Sequence, residues 1–123
     1  MTLPTGDDVL LLHNPRCSKS RTTRSLLEER GIAFTERLYL QDPLDASELA
    51  ELARRLERPV REWTRTGESA FREANLDAGS GDGPLIEAMA GMPVLMERPI
   101  VVRGEHARVG RPPTDVLELF EGE

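Results

Sequence analysis

The sequence predicts an α/β fold: a mixed four-stranded sheet in the order βαβ, a helical middle, then ββα. Three observations carry this. Val9 to Leu12 is a continuous apolar run, the pattern of a strand buried on both faces in a helix-flanked sheet. A polar helical stretch and then an alternating segment follow it, the sequence pattern of a βαβ unit with a right-handed crossover. A helix-patterned stretch then separates this unit from further short apolar runs.

Taken in order, the residues before Val9 form a loose leader, and Asn14-Pro15 ends the first strand. Serines and arginines lead into Leu26 and Leu27 and stop at Gly31, a helix with glycine after its end. Phe34 to Leu40 alternates as a second strand. Asp45-Ala-Ser-Glu48 reads as a capping box opening a helix with Leu49, Leu52, Ala53 and Leu56 on one face, ended by Pro59. Val60 to Thr66 holds a short helical piece, and Asn75 to Gly83 is a surface loop. Leu85, Ile86, Met89 and Ala90 form one face of another helix, closed by Gly91 and Pro93. Val94–Met96 and Ile100–Val102 are both predicted strands. Gly110-Arg-Pro-Pro-Thr114 opens a last helix that turns Val116, Leu117 and Phe120 inward. This is the layout of a thioredoxin-like fold with a helical insertion over about 44–92, and 1–123 is expected to be a single domain.

Composition narrows the function. Sixteen Lys and Arg against twenty-two Asp and Glu give a net charge of −6, which argues against a general nucleic-acid or membrane binder. No run is long enough for a membrane span, and Asp7 and Asp8 stand where a secretory signal carries positive charge. The single cysteine, Cys17, excludes an internal disulfide, and a cytoplasmic, reducing location is expected.

Cys17 follows a strand and a turn and precedes a helix, where unpaired N–H groups and the helix dipole favour a thiolate. Arg16, Lys19 and Arg21 add positive charge, and Ser18 and Ser20 offer hydroxyl donors. The spacing excludes a phosphatase loop, because Thr23 stands where the sixth residue after the cysteine has to be arginine. It also excludes a dithiol oxidoreductase, because Ser20 stands three positions after Cys17. Any redox cycle has to borrow a thiol from another molecule. His13 either tunes the thiol as an imidazolium or orients the loop by hydrogen bonding. One Cys and two His make no metal site. Pro99, before the third strand, is the candidate cis-proline that holds Arg98 near Cys17. Arginines converging on the sulfur bind a tetrahedral oxyanion through paired hydrogen bonds.

Four segments resemble the glutaredoxin-linked arsenate reductases, the ArsC-like family. They are His13-Asn-Pro-Arg-Cys17-Ser-Lys-Ser-Arg21, Leu38-Tyr39-Leu40, Arg98-Pro-Ile-Val-Val102 and Arg108-Val-Gly-Arg-Pro-Pro113, in family order. The resemblance implies a thioredoxin-like fold and reduction of arsenate to arsenite, with glutathione as co-substrate, glutaredoxin as partner and no tightly bound cofactor. It implies that Cys17 attacks arsenic, that His13 and Ser20 shape its ionisation, and that Arg98 and Arg111 hold the oxyanion. A third arginine matches Arg65 best, with Arg61 competing. Two relatives of the same type stand as alternatives. One is a thiol–disulfide oxidoreductase that does not act on arsenate. The other is a redox regulator binding RNA polymerase, disfavoured by the missing second cysteine and by Arg111.

Overall fold

The computed structural model describes residues 3–121. Strand β1 (Val9–Leu12) runs parallel to β2 (Thr35–Arg37), with helix α1 (Ser18–Glu29) as the crossover and Leu11 opposite Glu36. On its other side β1 pairs antiparallel with β3 (Ile100–Arg103), Leu11 facing Val101. A two-residue turn at Gly104-Glu105 joins β3 to antiparallel β4 (His106–Val109). Gly104 has φ +58°, and a Cβ there would lie 2.9 Å from the Gly6 carbonyl, so the turn takes glycine for both reasons. The sheet order is β2-β1-β3-β4, the thioredoxin-like arrangement.

Strand side chains alternate, and here both faces are apolar. Leu10, Leu12, Ile100 and Val102 turn to one side. There they meet α2 (Ala46–Leu56), α3 (Ser69–Glu73), α4 (Asp82–Gly91) and 3-10 turns at Val60–Trp63 and Pro93–Leu95. Val9, Leu11 and Val101 face Leu27 of α1 and Val116 of a closing 3-10 segment, Pro113–Phe120. Each fully buried leucine contributes roughly 1.5–3 kcal/mol, so the two-sided sheet is the core.

The capping box at α2 is formed: Asp45 Oδ1 accepts from Glu48 N at 2.8 Å, and Asp45 N donates to Glu48 Oε1 at 3.2 Å. The same Glu48 carboxylate receives the buried Arg37 of β2, with Nη1 at 2.6 Å from Oε2. Arg37 also donates to the Asp42 and Pro43 carbonyls, so this buried charge is hydrogen-bonded on several sides. It anchors the start of the inserted helices to the sheet edge.

Several expectations are corrected. Val94–Met96 is not a strand: i→i+3 bonds from Leu95 and Met96 make a 3-10 turn beginning at Pro93, and only Met96 forms a β-bridge, to Thr64. The fourth strand is His106–Val109, whose single turn of alternation between charged and small residues is too short to stand out. The second strand covers only 35–37, the loop expected to run to Gly83 gives way to α4 at Asp82, and α3 is an additional helix. The final element is 3-10, whose three residues per turn stack Val116 over Leu119. Leu117 and Phe120 are half-buried rather than fully inward.

Candidate active site

Cys17 is the N-cap of α1, in extended conformation with φ −96° and ψ 124°. Its N–H donates to the Asn14 carbonyl at 3.0 Å, which closes the turn after β1, and its own carbonyl accepts from Arg21 N at 3.0 Å. The half-buried sulfur therefore sits at the open end of the helix. Burial pushes its pKa up. The N–H groups of Ser20 and Lys19 and the charges of Arg98 and Arg111 outweigh that, and the thiol lies below its ordinary value.

His13 and Ser20 are both buried, and His13 Nδ1 lies 2.7 Å from Ser20 Oγ. Burial depresses the His13 pKa, with Arg24 and Arg21 adding to the effect and Glu36 opposing it. The Ser20 hydroxyl bonded to His13 also accepts from Asn14 N at 3.0 Å. Of the two roles open to His13, the geometry supports loop orientation over an imidazolium. The Ser20 hydroxyl lies against His13, while the backbone N–H of Ser20 favours the Cys17 thiolate.

Arg98 and Arg111 come from opposite ends of the β3–β4 hairpin, each preceding a cis-proline, Pro99 and Pro112. Arg111 Nη2 lies 4.0 Å from Cys17 Sγ, and its Nε donates to the Arg98 carbonyl at 2.9 Å. Gly110 makes this approach possible. A Cβ on it would lie 2.8 Å from both Pro99 Cγ and Thr23 Oγ1 of α1. Arg98 donates through Nη1 to Glu97 at 3.0 Å, while its buried Nε makes no hydrogen bond within the protein.

Arg65 reaches the same neighbourhood through a short antiparallel tie between two loops. Arg65 N donates to the Leu95 carbonyl at 2.7 Å, Glu97 N donates to the Trp63 carbonyl at 2.9 Å, and Thr64 bridges Met96. Its guanidinium pairs with Glu68 at 2.6 Å. Arg61 instead donates to the Asp77 and Ser80 carbonyls and braces the loop before α4. Of the two competing arginines, Arg65 is the one whose charge reaches Tyr39 together with Arg98 and Cys17.

Tyr39 marks that meeting point; its segment carried part of the resemblance, but nothing in the sequence assigned it a role at the site. It is buried, which pushes its hydroxyl up to about 12. Arg98 and Arg65 pull against this, Cys17 adds to it, and its hydroxyl hydrogen-bonds with the Asn14 side chain. The available signal was its being the one tyrosine of the chain, inside an alternating segment, since a buried phenol needs a polar partner. Glu97 was also missed. Its carboxylate oxygen Oε1 lies 3.0 Å from Arg98 Nη1 and 3.1 Å from Arg111 Nε.

Among the described residues no group of three or more His, Cys, Asp or Glu is placed to hold a metal, and no helix is long and apolar enough to cross a membrane. A cavity of about 620 Å³ lies beside Asp8, Phe34 and Glu36 and is not lined by Cys17.

A model of the ArsC family matches residues 12–119. The chain is 48% identical over 113 residues to YfgD, an uncharacterized Escherichia coli protein, covering 90% of this chain and 95% of that one. It is 42% identical to an arsenate reductase of Haemophilus influenzae, covering 91% and 98%. A solved arsenate reductase from Vibrio cholerae superposes with a TM-score of 0.87 at 44% identity, covering 94% of this chain and 99% of that one.

Proposed function

The chain belongs to the ArsC family, and on that ground we propose that it is an arsenate reductase whose nucleophile is Cys17 and whose thiols for completing the cycle are external. The observation that carries this reading is the Arg111 guanidinium 4.0 Å from a sulfur whose pKa is depressed, with Arg98 bonded to it from behind. A bare reactive thiol needs no such arginine pair; a thiol that attacks an oxyanion does.

In this reading Arg65, Arg98 and Arg111 hold arsenate, and the free Nε of Arg98 supplies one of the donors. His13 and Ser20 keep the loop in place. The Cys17 thiolate forms a sulfur–arsenic bond, and one oxygen takes protons from solvent and leaves as water. Glutathione displaces a second oxygen as water. Glutaredoxin then attacks the glutathione sulfur and removes it as a mixed disulfide, and the electron pair left on arsenic takes it from As(V) to As(III). Hydrolysis of the remaining sulfur–arsenic bond releases arsenite and regenerates Cys17. The residues of 1–123 act as one domain in this scheme, with the helices between β2 and β3 contributing Arg65 to the site. A reducing, cytoplasmic setting suits it, since the sole thiol cannot resolve its own product.

A glutathione- and glutaredoxin-coupled arsenate assay tests the reading. Cys17→Ser is expected to abolish turnover. Arg98→Ala and Arg111→Ala are expected to lower kcat/KM roughly 10- to 100-fold, and Arg65→Ala is expected to weaken turnover more than Arg61→Ala. Wild-type protein that exchanges disulfides yet releases no arsenite would overturn the reductase reading in favour of a thiol–disulfide oxidoreductase.

A further inference from the structure

One carboxylate stands behind both arginines nearest the sulfur. Glu97 Oε1 receives Arg98 Nη1 at 3.0 Å, Arg111 Nε at 3.1 Å and, more loosely, Arg98 N at 3.4 Å. Glu97 thus takes up one nitrogen of each guanidinium group. Arg111 Nη2, at 4.0 Å from Cys17 Sγ, and the unpartnered Arg98 Nε stay clear of it. The Glu97 backbone is itself fixed by its N–H bond to the Trp63 carbonyl. A negative charge in this position does two separable things. It holds two long, flexible cations in one arrangement, which otherwise costs side-chain entropy on each binding event. It also cancels part of their field, which weakens the hold on every anion, the thiolate included.

We propose that Glu97 is a positioning residue that fixes Arg98 and Arg111 around the anion beside Cys17 while limiting how tightly that anion is held. A site with uncompensated arginines binds any abundant tetrahedral anion and is blocked by it. Compensation by Glu97 keeps the remaining donors, Arg111 Nη2 and Arg98 Nε, aligned without that penalty. This rests on the reading that Arg98 and Arg111 face a bound oxyanion.

Two variants separate charge from position. Glu97→Gln keeps an acceptor oxygen and removes the charge; Glu97→Asp keeps the charge and shortens the reach by one methylene. The readouts are the pH dependence of Cys17 alkylation by iodoacetamide and the protection that sulfate or arsenate gives against it. E97Q is expected to lower the thiol pKa by roughly half to one unit and to reduce the half-protecting sulfate concentration roughly 3- to 10-fold. E97D is expected to leave the thiol pKa close to wild type and to raise the half-protecting concentration by a similar factor. An unchanged thiol pKa and unchanged protection in E97Q would overturn the proposal, as would E97D behaving like wild type in protection. If neither anion protects wild-type Cys17, the oxyanion reading itself fails, whereas a shifted E97Q thiol pKa still reports the charge of Glu97.

Discussion

Ionisation of Cys17 draws on backbone and side chains together: N–H groups of Ser20 and Lys19 at the helix start, and Arg98 and Arg111 from the hairpin. Its alkylation rate is therefore expected to level off below the roughly 8.5 of a free thiol, and reactivity is lost as pH falls through the lowered value. Arg98→Ala moves that midpoint upward by roughly half a unit or more; an unmoved midpoint removes Arg98 from the thiol's surroundings. His13 makes the opposite kind of demand. Burial holds its pKa below the ordinary value, so the folded protein resists taking a proton there. The stability it supports is complete above about 6.5 and is lost as pH falls from there through the folded-state value. Denaturation midpoints at about pH 7.5 and pH 5 should differ less in His13→Asn than in wild type. Cys17, His13, Ser20 and Arg98 could be singled out from strand end, turn and the proline at 99, which are local patterns, whereas the roles given to Arg98 and Arg111 came from the family resemblance. Tyr39 and Glu97 could not be singled out, because their significance comes from partners far along the chain.

Beside Pro99 and Thr23 of α1, Gly110 has room for a hydrogen and not for a methyl group. Gly110→Ala forces a Cβ into contacts of 2.8 Å with both neighbours. It is expected to cost about 1–3 kcal/mol in urea denaturation and to raise the Cys17 pKa by displacing Arg111. The cap of α2 is a useful contrast, since it lies at the other end of the inserted helices. Asp45→Ala should cost about 1 kcal/mol through lost N-cap bonding and leave Cys17 alkylation unchanged. A change in thiol reactivity there would show that the insertion is less rigid than its ties to Arg37 and Glu48 indicate. The elements that the sequence revealed have strong local signatures: four consecutive apolar residues in β1, and the Asp45–Glu48 capping box before α2. Val94–Met96 misled because burial of Leu95 and Met96 comes from packing under the helices, while Pro93 shapes the backbone into a 3-10 turn. His106–Val109 stayed hidden because a four-residue edge strand takes its conformation from β3 beside it.

Charge is distributed unevenly across the protein. The chain carries a net −6, yet Arg16, Lys19 and Arg21 next to Cys17 are exposed and form no ion pair among the described residues. Of the arginines farther off, Arg24, Arg54, Arg58 and Arg108 pair with carboxylates, while exposed Arg30 and Arg72 form no ion pair among the described residues. The local field should favour an anionic reagent over a neutral one. The ratio of iodoacetate to iodoacetamide rates at Cys17 is expected to exceed that of free cysteine at low salt. It should fall towards it as ionic strength rises from about 0.01 to 0.15 M, where the Debye length shrinks from about 30 to 8 Å. A ratio indifferent to salt contradicts the uneven field. The tie that joins Trp63–Arg65 to Leu95–Glu97 has a consequence for how such a protein changes over generations. Beside the site, the contact between the thiol module and the inserted helices is a seam of backbone atoms, which nearly any residue can supply. Residues at 65, 68 and 97 are thus free to be exchanged while the seam stays shut. A lineage can change the charges around the thiol without rebuilding the turn that carries it.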